Sequence, residues 1–291
     1  RELTSDLLND DDAGQRPAET QFELLRLHAW LQSDLGSLDD ALEIIDRALE
    51  LAESSGHGVN VARALYSRAH FNYQTGHIDP APLKRAVALA TENDAPLQAL
   101  ICQRLRAELL SYDGEPDRAR SLLESLLPRA RELGARQAEI ASQNALGELA
   151  RRRRDWPEAV DRYSAAMRLD KRGDRSLDCP VAINLALAYI GQGDADKARP
   201  LLDRAIERAR STGKWFFASV AQLGQVACTV IQRDPEAATR ALDRAEERLE
   251  QTSVRSEDHR WITELALTHL DGWEADTIRR RLESVLEMLD R

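Results

Sequence analysis

The stretch Asn184-Leu185-Ala186-Leu187-Ala188-Tyr189-Ile190-Gly191-Gln192-Gly193-Asp194-Ala195-Asp196-Lys197-Ala198 decides the fold. Its first half is Leu- and Ala-rich, and such residues lose little entropy in a helix. Gly193-Asp194 then punctuates the pattern, and apolar positions resume at Ala198, Leu202, Ala205 and Ile206 before a stop at Gly213. The reading is two antiparallel helices joined by a tight turn. The frame recurs along the chain. Its turn position falls on Gly36, Gly76, Gly114, Arg154, Gly193, Arg233 and Gly272, in steps of 38 to 40 residues.

Small residues keep the same beat. Five positions after the turn stand Ala41, Ala81, Ala119, Ala159, Ala198 and Ala238, with Thr277 breaking the series. Seven before it stand Ala29, Ala69, Ala107, Gly147 and Ala186, then Val226 and Leu265. Further on, Ala48, Ala88, Ala166, Ala205 and Ala245 mark a second contact. Two helices approach closely only where neither carries a bulky side chain, so these residues mark the crossing points. With seven turns in phase, the motif resembles the tetratricopeptide repeat, in a long form similar to arrays of bacterial multidomain signalling proteins. The resemblance implies an all-α solenoid of about seven helix–turn–helix repeats wound into a right-handed superhelix. It spans about residues 20–291. Residues 1–19, with the run Asn9-Asp10-Asp11-Asp12, read as an acidic linker or the tail of a preceding segment. The chain opens on Arg1 without a methionine, from which we expect a module of a longer protein.

Composition narrows the function. A net charge of −10 excludes a general nucleic-acid binder, which needs a basic face. No apolar run is long enough to span a bilayer, so no membrane partner is expected. Cys102, Cys179 and Cys228 lie far apart in no metal or redox spacing. They read as free thiols in a reducing, cytoplasmic setting. No phosphate loop, nucleophile motif or metal-ligand cluster is found, and neither cofactor nor metal is expected. The run Arg151-Arg152-Arg153-Arg154 reads either as an anion site or as a helix C-terminus stabilised by cations.

In the family, the first helices of successive repeats line the inside of the superhelix and carry the ligand. Transferred here, the inward positions of repeats one to four give a polar set. It comprises Arg26 and Trp30; Arg63, Tyr66, His70 and Tyr73; Arg104, Glu108 and Tyr112; and Asn144, Glu148, Arg151 and Arg152. Aromatic residues and arginine are the types enriched at interface hot spots. Asn144, Arg26, Arg63 and Arg104 match in type the carboxylate-binding positions of the family's peptide clamps, but the full clamp pattern is not reproduced. Repeats five and six give an aliphatic set instead: Ile183, Leu187, Ile190, Leu223 and Val230. This set reads as a groove for an apolar helix, which a partner, a second copy or the chain's own repeat seven would fill, or else as core.

The function expected from the resemblance is a non-catalytic protein- or peptide-binding scaffold within a larger bacterial signalling protein. Its partner would be a peptide, an acidic segment or an apolar helix, and a homo-oligomer is a further option. The alternative is a sensor whose ligand controls an attached effector. An enzyme without a recognisable motif is the remote one.

Overall fold

The computed structural model describes residues 16–35, 37–170, 178–250 and 257–289, and the turn residue Gly36 and most of the acidic lead-in lie outside them. The described residues form fourteen helices and no strand. Up to Ser142 there are α1 (Ala18–Asp34), α2 (Leu38–Ser54), α3 (Gly58–Gln74), α4 (Ala81–Glu92), α5 (Pro96–Tyr112) and α6 (Pro116–Glu132). Helix α7 (Arg136–Arg152) carries the boundary to a second compact unit, which begins at Gln143. That unit continues with α8 (Trp156–Leu169), α9 (Asp178–Gly191), α10 (Ala195–Ser211), α11 (Trp215–Ile231), α12 (Pro235–Glu250), α13 (Glu257–Thr268) and α14 (Asp276–Leu289). No helix is long and apolar enough to cross a membrane.

The turns follow the sequence beat. Gly76, Gly114, Gly193 and Gly272 all take left-handed backbone, as do Arg154 (φ 58°) and Arg233 (φ 53°). Glycine visits that region freely whereas an arginine is strained there. After three of the turns an aspartate caps the next helix: Asp155 accepts from the Glu158 N–H, Asp194 from Lys197 and Asp234 from Ala237. These bonds satisfy donors that a helix start would leave open.

Ala41, Ala119, Ala159, Ala198 and Ala238 are fully buried at the crossings. Repeat two corrects the count, because there Ala81 and Ala88 are exposed while Leu83, Ala86 and Ala90 are buried. Other repeats have a second left-handed residue after the long helix, at Gly134 and Gly213, twenty residues past the turn; in repeat two it is Asp94, only eighteen past Gly76. Two residues are missing inside that repeat, so its buried face is shifted by two.

In each unit, first helices pack on the second helix of the preceding repeat: α3 on α2, α5 on α4, α11 on α10. The chain's last first-helix departs from this. Helix α13 has α11 as its main neighbour and joins the core through Ile262, Ala266 and Leu270.

Candidate functional site

In the first unit α1, α3 and α5 lie side by side, and their shared face carries nine of the predicted polar residues. At one end Glu23 bonds two guanidinium groups, Arg26 at 3.0 Å and Arg63 from the neighbouring helix. Arg63 also donates to Asn60 Oδ1 (3.3 Å), and Asn60 donates to Glu19 (2.5 Å). Burial alone would raise the Glu23 pKa, but the bonds from Arg63 and Arg26 outweigh it and hold the carboxyl below its usual value. Farther along, Arg104 donates to Glu108 (2.7 Å) and to the Tyr66 hydroxyl (3.4 Å).

The same helices also carry two groups of rings. Trp30 stacks on His70 with centroids 5.0 Å apart, and Tyr66 lies nearly parallel to His70 at 6.4 Å. Tyr73 meets Tyr112 at 5.0 Å. Polar atoms at the ring edges are fixed: the Trp30 indole N–H donates to Ser67 Oγ (3.0 Å), and Ser33 Oγ donates to Gln74 (2.8 Å). Burial pushes the His70 pKa down. Arg104 acts in the same direction, and the opposing carboxylates of Glu108 and Asp34 do not cancel the shift. Asn60, Ser67 and Glu19 were not foreseen from the inward offsets. No periodic signal marks them, because each acts by reaching a partner on another helix or turn.

The remaining polar candidates belong to the second unit. Asn144 accepts from Asn184 (3.0 Å). Arg152 reaches Glu148 at 3.5 Å, and Arg153 donates to the Leu149 carbonyl (3.4 Å). Arg151 is only 6% exposed. Its guanidinium bonds Asp258 of α13 at 3.0 Å and lies 4.6 Å over the Trp261 ring. The arginine run thus disperses: Arg151 inward, Arg152 and Arg153 along their own helix, Arg154 into the turn.

The aliphatic candidates are core. Ile183 is 3% exposed, Leu223 1%, and Leu187, Ile190 and Val230 0%. They share one apolar cluster with Ile262, Ala266 and Leu270, so the chain's own repeat seven fills the face that the sequence left open to several occupants. Polar contacts fasten α13 at its ends. His259 bonds Ser219 Oγ at 2.8 Å, and His269, just past the helix, reaches the Ile190 carbonyl at 3.2 Å. Trp261 also meets Trp156 at 5.9 Å.

Comparison with known proteins agrees with this architecture. The family model of the tetratricopeptide repeat matches residues 180–212. A search of curated proteins found no match. Among solved structures, the chain is similar to a Rap protein complexed with competence and sporulation factor, at 18% identity and TM-score 0.70, covering 98% of this chain and 80% of that one. It is similar to the Rap conjugation gene regulator of plasmid pLS20 in complex with the Phr* peptide, at 15% identity and TM-score 0.71, covering 98% and 79%. A third likeness is to the apo form of the quorum sensor NprR from B. thuringiensis, at 14% identity and TM-score 0.67, covering 94% and 78%.

Proposed function

We propose that this chain, a tetratricopeptide-repeat protein, is a non-catalytic receptor that takes an extended peptide across the face of α1, α3 and α5. The observation carrying this reading is the stack Trp30, His70 and Tyr66 and the pair Tyr73 and Tyr112 on the same three helices as fixed arginine–glutamate pairs. Rigid rings present large contact area at small entropic cost, and their polar edges can bond a peptide main chain. The peptide complexes of the similar Rap structures support the same reading. They also favour a sensing role, in which the bound peptide sets the state of a regulatory partner.

The ion pairs refine the ligand. Arg26, Arg63 and Arg104 already hold the carboxylates of Glu23 and Glu108, so an acidic peptide would have to displace them. The face therefore favours a peptide of balanced charge with aromatic or other planar side chains. Screening an array of random octapeptides against the whole chain tests this. The expected hits are enriched in aromatic residues and lose about tenfold or more in affinity on Tyr66→Phe combined with Arg104→Gln, a loss of roughly 1.4 kcal/mol or more. Absence of any hit, or hits whose binding is indifferent to those substitutions, would refute the assignment.

A further inference from the structure

The positions 12, 9 and 5 residues before each turn lie on the side of a first helix that meets the preceding repeat. Gly224 shows the contact directly, since a Cβ added there would lie 2.9 Å from the Leu202 side chain of α10. Where a repeat precedes, these positions are buried: Ala64, Ser67 and Phe71 in α3, and Cys102, Leu105 and Leu109 in α5. In α1 they are Leu24, Leu27 and Leu31, and no described helix precedes them. Leu27 is 51% exposed, and Leu24 and Leu31 are only half-buried.

Leu35, 55% exposed, extends the stripe. Its counterparts, one residue before the other turns, are Thr75, Asp113, Arg153, Gln192, Gln232 and Asp271, all polar and exposed. A leucine at the one position that every other repeat keeps polar, beside three more leucines, marks a face that is covered. A second copy is a poor cover. Every exposed residue of α14, at the other end of the array, is polar or charged, so a head-to-tail copy brings no apolar face. Pairing of two α1 helices rests on four leucines a side, far short of the roughly 1,200 Å² that a stable interface buries.

The chain's own lead-in fits better. Leu3 and Leu7, outside the described residues, are four apart, the spacing of one helix face, and Leu8 adjoins them. From Leu8 to Ala18 the chain can reach ~33 Å, whereas α1 is only ~25 Å long, so these leucines can lie anywhere along it. The lead-in also arrives on the correct side. Gln21 Nε2 donates to the Arg16 carbonyl (2.6 Å), and Gln21 stands about one helical turn before Leu24 on the same side of α1. A tethered segment needs far less buried area than a free partner, because its local concentration is high. We propose that Leu3, Leu7 and Leu8 close this end of the array by packing on Leu24, Leu27, Leu31 and Leu35. They take the place that a preceding second helix takes in the other repeats.

Hydrogen–deuterium exchange tests this on the whole chain, wild type against Leu3→Glu, Leu7→Glu and Leu8→Glu combined. The amides of α1 should exchange about tenfold or more faster in the variant, as loss of one buried leucine or more implies, while α10 and α11 keep their protection. Leu27→Gln with Leu35→Gln is the converse arm. On a covered face it lowers the melting temperature by a few degrees, and the lead-in substitutions then add little, because both remove the same contact. The proposal is overturned if α1 exchange ignores the lead-in substitutions, if Leu27→Gln with Leu35→Gln leaves the melt unchanged, or if the two sets of substitutions add independently. A dimer in sedimentation that Leu27→Gln with Leu35→Gln dissociates would equally overturn it, in favour of a second copy.

Discussion

Gly147→Ala should destabilise this chain even though local propensity argues the reverse. Gly147 lies in the interior of α7, where alanine is favoured over glycine by about 1 kcal/mol. Alanine also stands at the same repeat position in Ala29, Ala69, Ala107 and Ala186. At Gly147, however, a Cβ would lie 2.6, 2.7 and 2.9 Å from three ring carbons of Tyr163, all inside the 3.0 Å that real Cβ contacts respect. The ring cannot retreat, because Tyr163 is fully buried. Overpacking of this kind costs about 1–3 kcal/mol, and contacts this short against a ring that cannot move belong at the upper end, so after the propensity gain a net loss of about 2 kcal/mol is expected. Urea unfolding followed by circular dichroism reads it as a lower midpoint at constant slope. The decisive arm is the Tyr163→Leu background, where the ring is gone and Gly147→Ala becomes neutral or stabilising. Tyr163→Phe, which keeps the ring, gives no such relief. Equal effects of Gly147→Ala with and without the ring would refute the packing argument.

Leu187→Asp places a carboxylate in the fully buried cluster under α13 and should lower stability by about 4 kcal/mol or more in thermal melts; a solvent-facing groove residue would shift it by less than about 0.5 kcal/mol. Arg233→Gly relieves a left-handed arginine and, after the added unfolded-state entropy, should stabilise by about 0.5–1 kcal/mol; an unchanged melt would show that the turn carries no strain. Because the folded-state pKa of His70 lies below 6.5, the unfolded chain takes up the proton first, and stability falls as pH drops below that value. The stability advantage of wild type over His70→Phe should therefore shrink between pH 8 and pH 5 in paired urea melts, and a constant difference would exclude the shift. Burial pushes the Cys102 thiol up to about 11 and Cys228 up to about 12, so a thiol-specific dye should label them in the native chain far more slowly than in urea.

The turns were legible because each one described takes one left-handed residue, and the count located even Arg154 and Arg233, which no residue preference would mark. The count failed in repeat two. A spacing measured forward from Gly76 assumes a constant second helix, and the deletion shows only once Asp94 is recognised as its end. At the candidate site, periodicity identified which side chains share a face but not their partners. Whether Arg63 faces an incoming carboxylate or Glu23 depends on rotamers across two helices, and an octave of spacing carries no trace of that.

The second unit shows the same limit from the other side. Aliphatic residues at successive inward positions cannot stay in water, so something must cover them, and the sequence announces the need without naming the occupant. Helix α13 meets it by packing on α11 with Ile262 and Ala266 buried. That choice accounts for Arg151. A guanidinium this deeply buried is tolerated only where a carboxylate and an aromatic face come with it, and Asp258 and Trp261 both arrive on α13. Arg151 therefore marks the edge of an occupied face, with its charge spent on α13.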